Sequence, residues 1–253
     1  MIDFFFGRVS RRTLLILIPL IFASYFGTLI FAIRALPGPF DWRYKSISKL
    51  LYIRVDPEFH SIVSLGIAVA GMLMIPFAGY VGRRIRSSSP VMATVGAVAF
   101  GAGALLLILA AIIVSQPDRG SSRGLNLHEL LARLCGIALG IGILPFYFCA
   151  VRIRVISAAD YNQRLFIAWS MIVPPAILIA AIRALAAFRF RWPDPIARAI
   201  ESRALWHLGF WEWTGSAAIF LFMLTAALFV PQSEPEPHLW SQQTKQLPPD
   251  LPG

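Results

Sequence analysis

The sequence predicts an all-α fold, a polytopic membrane bundle of six transmembrane helices, and three observations carry that prediction. Of the 253 residues, 57% are hydrophobic and 14% charged, with a mean hydropathy of +0.68. Soluble domains hold about 25% charged and roughly 45–50% apolar residues. Six runs free of Asp, Glu, Lys and Arg cover 13–33, 61–82, 87–117, 134–151, 165–182 and 213–233. A bilayer core about 30 Å thick asks for roughly 20 apolar helical residues. Finally, nothing alternates over roughly ten-residue segments as strands of a membrane barrel would. Composition also excludes a disordered chain, a collagen-like fibre and, with two Cys, a disulfide scaffold.

The first span is read at 13–35. Arg8, Arg11 and Arg12 precede it in the manner of a secretory signal. Its apolar run exceeds a signal core of about 7–15 residues and no A-x-A site follows, so it is read as a retained helix. The remaining spans are read at 61–82, 91–115, 128–150, 166–187 and 205–230, which makes residues 1–230 one transmembrane domain. Beyond it, 231–253 is polar and rich in proline. Such a segment cannot bury a core and is predicted to be disordered. It is read as a solvated tail, with extended proline-rich binding to a partner as the alternative.

Orientation follows Lys and Arg in short loops. With the N-terminus inside, Arg8/Arg11/Arg12, Arg83/Arg84/Arg86 and Arg152/Arg154 fall on the cytoplasmic side, and an even number of spans puts both termini there. The opposite side is also basic, with Arg43, Lys45, Lys49, Arg54, Arg189, Arg191, Arg198 and Arg203. A bacterial inner membrane is the expected location. Nucleic acid is not an expected partner, because the net charge of +10 is dispersed over both sides.

Small residues allow close helix packing in lipid. The fourth span carries Gly136-x-x-x-Gly140 and Ala138-x-x-x-Gly142, and the third carries Ala97-x-x-x-Gly101 and Ala99-x-x-x-Gly103. These rows predict an antiparallel hairpin of the third and fourth spans, with Gly136 and Gly140 facing the third. A homo-oligomer through the same grooves is the alternative. Pro19, Pro76, Pro145 and the pair Pro174-Pro175 fall inside spans, where each removes a backbone hydrogen bond. The pair is expected to kink the fifth span. Cys135 and Cys149, about 21 Å apart along one helix, cannot pair with each other.

Sorted by membrane side, His60, His128 and His207 all begin even-numbered spans and meet at the extracytoplasmic face, joined by Asp56, Glu58, Glu129 and Glu212. Imidazoles with carboxylates are ligand chemistry for a divalent metal. Paired histidines could instead hold haem. The same histidines also suit plain snorkelling or capping at an interface, and no H-E-x-x-H spacing is present. Arg133 follows His128 by five positions and Glu212 follows His207 by five, so the two charges share a depth about 7–8 Å below their histidines. An Arg133–Glu212 ion pair is therefore expected, with Glu129, one helical turn from Arg133, as the competitor. Trp206, Trp211 and Trp213 suit an interfacial aromatic belt. The loop residues Phe40-Asp41-Trp42-Arg43-Tyr44-Lys45 suit a surface lying on headgroups. No phosphate-binding loop, dinucleotide fingerprint, nucleophile elbow or calcium loop is present.

Ser46-Ile47-Ser48-Lys49-Leu50, followed by Asp56-Pro57-Glu58-Phe59 running into the second span, resembles the first external loop of the DUF998 and Frag1/DRAM/Sfk1-like six-helix membrane families. Their pattern there is Ile-Ser-Asp-Leu-Gly with a following proline. His128 is similar to a histidine these proteins often carry at the head of the fourth helix. Lys49 replaces the family's Asp and Leu51 stands where Gly is expected, so no site involving that acid carries over. The resemblance implies a small polytopic protein linked, in some members, to lipid handling. Three classes of function follow. The favoured one is a non-enzymatic protein that interacts with lipid or a membrane partner. The others are an intramembrane metal-dependent lipid hydrolase and a small transporter or haem-binding redox subunit.

Overall fold

The computed structural model describes residues 2–36, 38–51, 59–113, 127–156, 171 and 208–230. Within them the order is α1 (Ile2–Phe5), α2 (Arg11–Phe22), a π-helical turn (Ala23–Gly27), α3 (Thr28–Ala35), α4 (Ile47–Leu50), α5 (His60–Arg84), α6 (Pro90–Ile112), α7 (Leu127–Ile156) and α8 (Leu208–Phe229). No strand occurs among the described residues. Five helical stretches are long and apolar enough to cross a membrane, namely Arg11–Ala35, His60–Arg84, Pro90–Ile112, Leu127–Arg152 and Gly209–Leu228. They match the first to fourth and sixth spans expected from the sequence. Apart from Met171, the fifth, at 166–187 with Pro174 and Pro175, lies outside the described residues, as does the tail at 231–253.

Local chemistry starts and bends these helices. Ser10 sits in extended backbone before α2 and its Oγ accepts from the Thr13 amide at 3.0 Å. Ser89 does the same for α6, with Pro90 at the first helical position, where its missing N–H costs nothing. Pro19 interrupts the hydrogen-bond ladder of α2, and the chain passes into the π turn within one helical turn of it. Such turns absorb one residue in excess of α-helical winding. The Thr28 hydroxyl donates to the carbonyls of Ser24 (2.8 Å) and Tyr25 (3.1 Å) in that widened turn.

Glycine contacts fix the antiparallel register of neighbouring spans. A Cβ at Gly71 of α5 would meet Ile108 at 2.8 Å, and one at Gly82 would meet Ala97 at 2.7 Å, both on α6. On the α6–α7 face, a Cβ at Gly96 would meet Phe146 at 2.6 Å, one at Gly103 would meet Leu139 at 2.7 Å, and one at Gly142 would meet the Phe100 backbone at 2.6 Å. The expected hairpin is present, but its seam differs from the expected one. Gly136, Gly140 and Gly101 have open space where a Cβ would stand. The buried seam of α7 runs through Cys135, Leu139, Phe146 and Cys149, and that phase carries Gly142 inward while turning Gly136 and Gly140 aside. Cys135 and Cys149 are both free thiols.

The four longest helices after the first span meet on a knot of buried rings. Phe77 of α5 lies 5.3 Å from Phe100 of α6, and Phe222 of α8 lies within 6.5 Å of Phe77, Phe100 and Phe146. Side chains pointing the other way, such as Ile16, Leu20, Val98, Leu105, Ile141 and Phe148, are exposed, which is what lipid-facing positions of a bundle require.

Candidate functional site

Two ends of the bundle differ in chemistry. At the end where the first span finishes, the loop from Phe40 to Leu51 folds back on the start of α8. Lys45 packs its backbone against Gly209, where a Cβ would stand 2.7 Å from the Lys45 carbonyl. Trp213 Nε1 donates to that carbonyl at 3.2 Å. Trp42 stacks on Phe210 at 5.8 Å, and Phe40 meets Trp213 edge-on at 6.0 Å. The Glu212 carboxylate then accepts from the Ser48 amide at 3.1 Å and from Ser48 Oγ at 2.9 Å. Ser48 lies in the single turn α4, which Ile47 opens, so the carboxylate satisfies donors that the turn cannot satisfy itself. Trp213 thus acts as a clamp on the loop.

Farther out on this loop, Arg43 Nε and Nη2 donate to both Asp41 oxygens at 3.0 and 2.9 Å. Hydrogen bonding to that guanidinium holds the Asp41 carboxyl below its usual range. Lys45 Nζ donates to the Pro39 carbonyl at 3.0 Å.

The expected Arg133–Glu212 pair is not formed. Arg133 is bonded to Glu129, one turn back on its own helix, with both side chains substantially exposed. Glu212 is engaged by the loop. Depth along the bundle matched the two charges, but contact also depends on the direction each side chain takes around its helix.

His60 and His128 begin different helices. His60 stands at the start of α5, with its Nε2 3.1 Å from Ser61 Oγ. His128 is 2% exposed and its Nδ1 lies 2.7 Å from the Ala110 carbonyl. A carbonyl only accepts, so Nδ1 carries the proton, and the ring ties the head of α7 to the unpaired carbonyl end of α6. Ligation by His128 would fall to Nε2. Glu58 and His207 lie outside the described residues, and among the described residues no three His, Cys, Asp or Glu side chains converge.

The opposite end gathers arginine. Arg8, Arg12, Arg83, Arg84, Arg86 and Arg152 lie there with Asp3 as the acidic residue among the described ones. Arg11 joins the first and last spans, because its Nε and Nη2 donate to the Ala227 and Leu228 carbonyls in the last turn of α8. Those acceptors have no intrahelical donor, and a cation suits the negative end of the helix. Ahead of Arg11 the chain makes a hook. The Gly7 amide donates to Phe4 and the Arg8 amide to Asp3, while the Arg8 guanidinium donates to the Asp3 carboxylate at 2.8 Å. Gly7 has φ +71° and lies against the backbone of Gly79 and Tyr80 on α5. In return, a Cβ at Gly79 would stand 2.7 Å from the Phe6 carbonyl. An open apolar groove of about 320 Å³ lined by Pro90, Val91, Thr94 and Val95 lies on α6 at this end.

Between the ends, polar side chains latch the first span to its neighbours. Ser24 Oγ donates to the Gly66 carbonyl at 2.8 Å, and the Tyr25 and Ser216 hydroxyls share a hydrogen bond of 2.9 Å. These residues, like Arg11, Ser48 and Gly7, were not singled out by spacing. The available signal was Pro19 followed closely by the polar trio Ser24, Tyr25 and Thr28 in an otherwise apolar run. Comparison with family models, with curated proteins and with solved structures finds no match to the chain.

Proposed function

We propose that this is a six-span integral membrane protein of a bacterial inner membrane, with both termini cytoplasmic, whose work is non-enzymatic engagement of membrane lipid. The reading rests first on direction. Arg11 reaches the last turn of α8, and Gly209 at its first turn abuts Lys45. The first and last spans are therefore antiparallel, and α7 finishes at the arginine end while α8 begins at the other. The end of α7 and the start of α8 therefore lie at opposite ends of the bundle, the arrangement that a sixth span would need and that supports the reading.

The observation that carries the lipid reading is the arginine end itself. Among the described residues, seven guanidiniums, those of Arg8, Arg11, Arg12, Arg83, Arg84, Arg86 and Arg152, stand there with the carboxylate of Asp3, a balance that suits the cytoplasmic side of a membrane and attracts anionic headgroups there. At the other end, Asp41, Glu129 and Glu212 offset Arg34, Arg43, Lys45, Lys49 and Arg133 among the described residues. This agrees with the lipid handling implied by the family resemblance in the first loop.

Native mass spectrometry of the protein released from lipid nanodiscs tests the function, with retained phospholipid expected and a lipid-free species contradicting it. Lys245→Cys tests the orientation. Cys135 and Cys149 are buried, so labelling of intact cells by an impermeant reagent reports the tail alone. Protection from outside is expected, and labelling would reverse the orientation.

A further inference from the structure

We infer that the N-terminal hook is an interfacial foot that seats in the headgroup layer of an anionic phospholipid leaflet. The inference rests on the lipid reading above and names the lipid class and the element that meets it. The hook is fixed to the bundle. Gly7, in the left-handed region, presses on the backbone of Gly79 and Tyr80 where no side chain would fit. Amide bonds from Gly7 to Phe4 and from Arg8 to Asp3 close it.

That fixed geometry sets two kinds of side chain side by side. Phe5 is 39% and Phe6 68% exposed, an expensive arrangement in water and a favourable one at the boundary between headgroups and acyl chains. Arg8 and Arg12 flank them and are exposed, and Arg83, Arg84 and Arg86 follow at the end of the helix to which Gly7 is docked. Aromatic rings beside guanidiniums match the two halves of an anionic phospholipid, its acyl boundary and its phosphate. A protein partner would have to cover the same rings while neutralising several guanidiniums. Lipid does both wherever the bundle is inserted. The element is therefore assigned to lipid, and a partner is an outcome of the test.

The experiment uses the full chain in nanodiscs, one set of phosphatidylcholine and one of equal phosphatidylcholine and phosphatidylglycerol, with hydrogen exchange read on the amides of residues 4–8. Exchange should slow by about fivefold or more in the anionic discs, the factor one surface charge supplies. The slowing should vanish in high salt, which screens surface charges, and in the double variant Arg8→Gln/Arg12→Gln. Phe6→Ser should shorten it while leaving the salt dependence. Equal exchange in both lipids, or slowing that survives salt, overturns the foot, as does slowing that survives removal of both arginines. Protection that appears only on adding cell extract assigns the hook to a protein partner and also overturns it. The salt arm uses the unmodified protein, so poor folding of a variant does not blunt the test. If phospholipid is retained by mass spectrometry while the hook ignores headgroup charge, the foot fails and the broader lipid reading stands. If no phospholipid is retained in either disc, the broader reading fails with it.

Discussion

Replacing Gly142 with alanine should destabilise the bundle, and replacing Gly140 with alanine should not. Both glycines lie in α7, so the gain in helix propensity, up to about 1 kcal/mol per Gly→Ala, is common to the two and cancels in their difference. What remains is steric. The new Cβ at 142 would stand 2.6 Å from the Phe100 amide nitrogen and 2.8 Å from its Cα. Carbon needs about 3.5–4.0 Å for an unstrained contact, so α6 and α7 must part by about 1 Å. Both approached atoms include backbone, which cannot rotate away. The separation loosens Phe146 against Gly96 and Leu139 against Gly103 on the same face. Overpacking of this kind costs about 1–3 kcal/mol, and that is the expected difference between the variants. Reversible unfolding in mixed micelles, read by loss of tryptophan fluorescence, measures it. A Gly140→Ala protein as damaged as Gly142→Ala, or a difference below about 0.5 kcal/mol, would refute the register on which this reasoning depends.

Further expectations concern the ends. A double-mutant cycle on Ser48→Ala and Glu212→Met should couple by about 0.5–1.5 kcal/mol, the worth of the one side-chain hydrogen bond it removes. Arg133→Met should be additive with Glu212→Gln, and coupling between those two would restore the pair that depth alone suggested. His128→Ala should cost about 1–3 kcal/mol by stranding the Ala110 carbonyl, with His128→Asn, whose amide can donate from the Nδ1 position, restoring most of it. Thermal unfolding of the three proteins decides, and an alanine variant as stable as the parent would contradict the cap. Arg11→Met should speed hydrogen exchange in the last turn of α8 more than anywhere else, and a uniform effect would deny the contact with Leu228. The Asp41 carboxyl, held down by Arg43, should titrate below its ordinary value of 3.8. Its contact therefore contributes above that pH and is lost as pH falls through the lowered value. A carbon-detected titration showing an ordinary midpoint would contradict it.

The spans were legible because charge is excluded from hydrocarbon so strongly that its absence over about 20 residues is a signal in itself. Four boundaries moved by only a few residues, while α7 continues to Ile156 because a helix can run past the membrane into the interface. The seam of α7 was not legible. A helix apolar on every side shows no stripe, so the row through Gly136 and Gly140 looked as good as the phase that buries Gly142. Glu212 shows a second reason. Its partner Ser48 lies 164 positions away in a loop whose fold-back depends on Gly209, Phe210 and Trp213 together, and no local pattern records such an encounter. His128 was found as a residue of interest, but its nearest acceptor is a backbone carbonyl, and carbonyls carry no residue code.

The bond from Arg11 to the end of α8 also has a consequence in time. Ribosomes make the chain from the N-terminus, and Arg11 is synthesised 217 positions before Leu228. Until that helix is made, the Arg11 guanidinium has no α8 carbonyl to engage. Only when the final span arrives do the Ala227 and Leu228 carbonyls claim it. The side chain made early thus closes the bundle late, as a clasp. A ribosome stalled before the final helix would leave an open bundle with that clasp unused, distinguishable from the finished protein by the guanidinium it still displays.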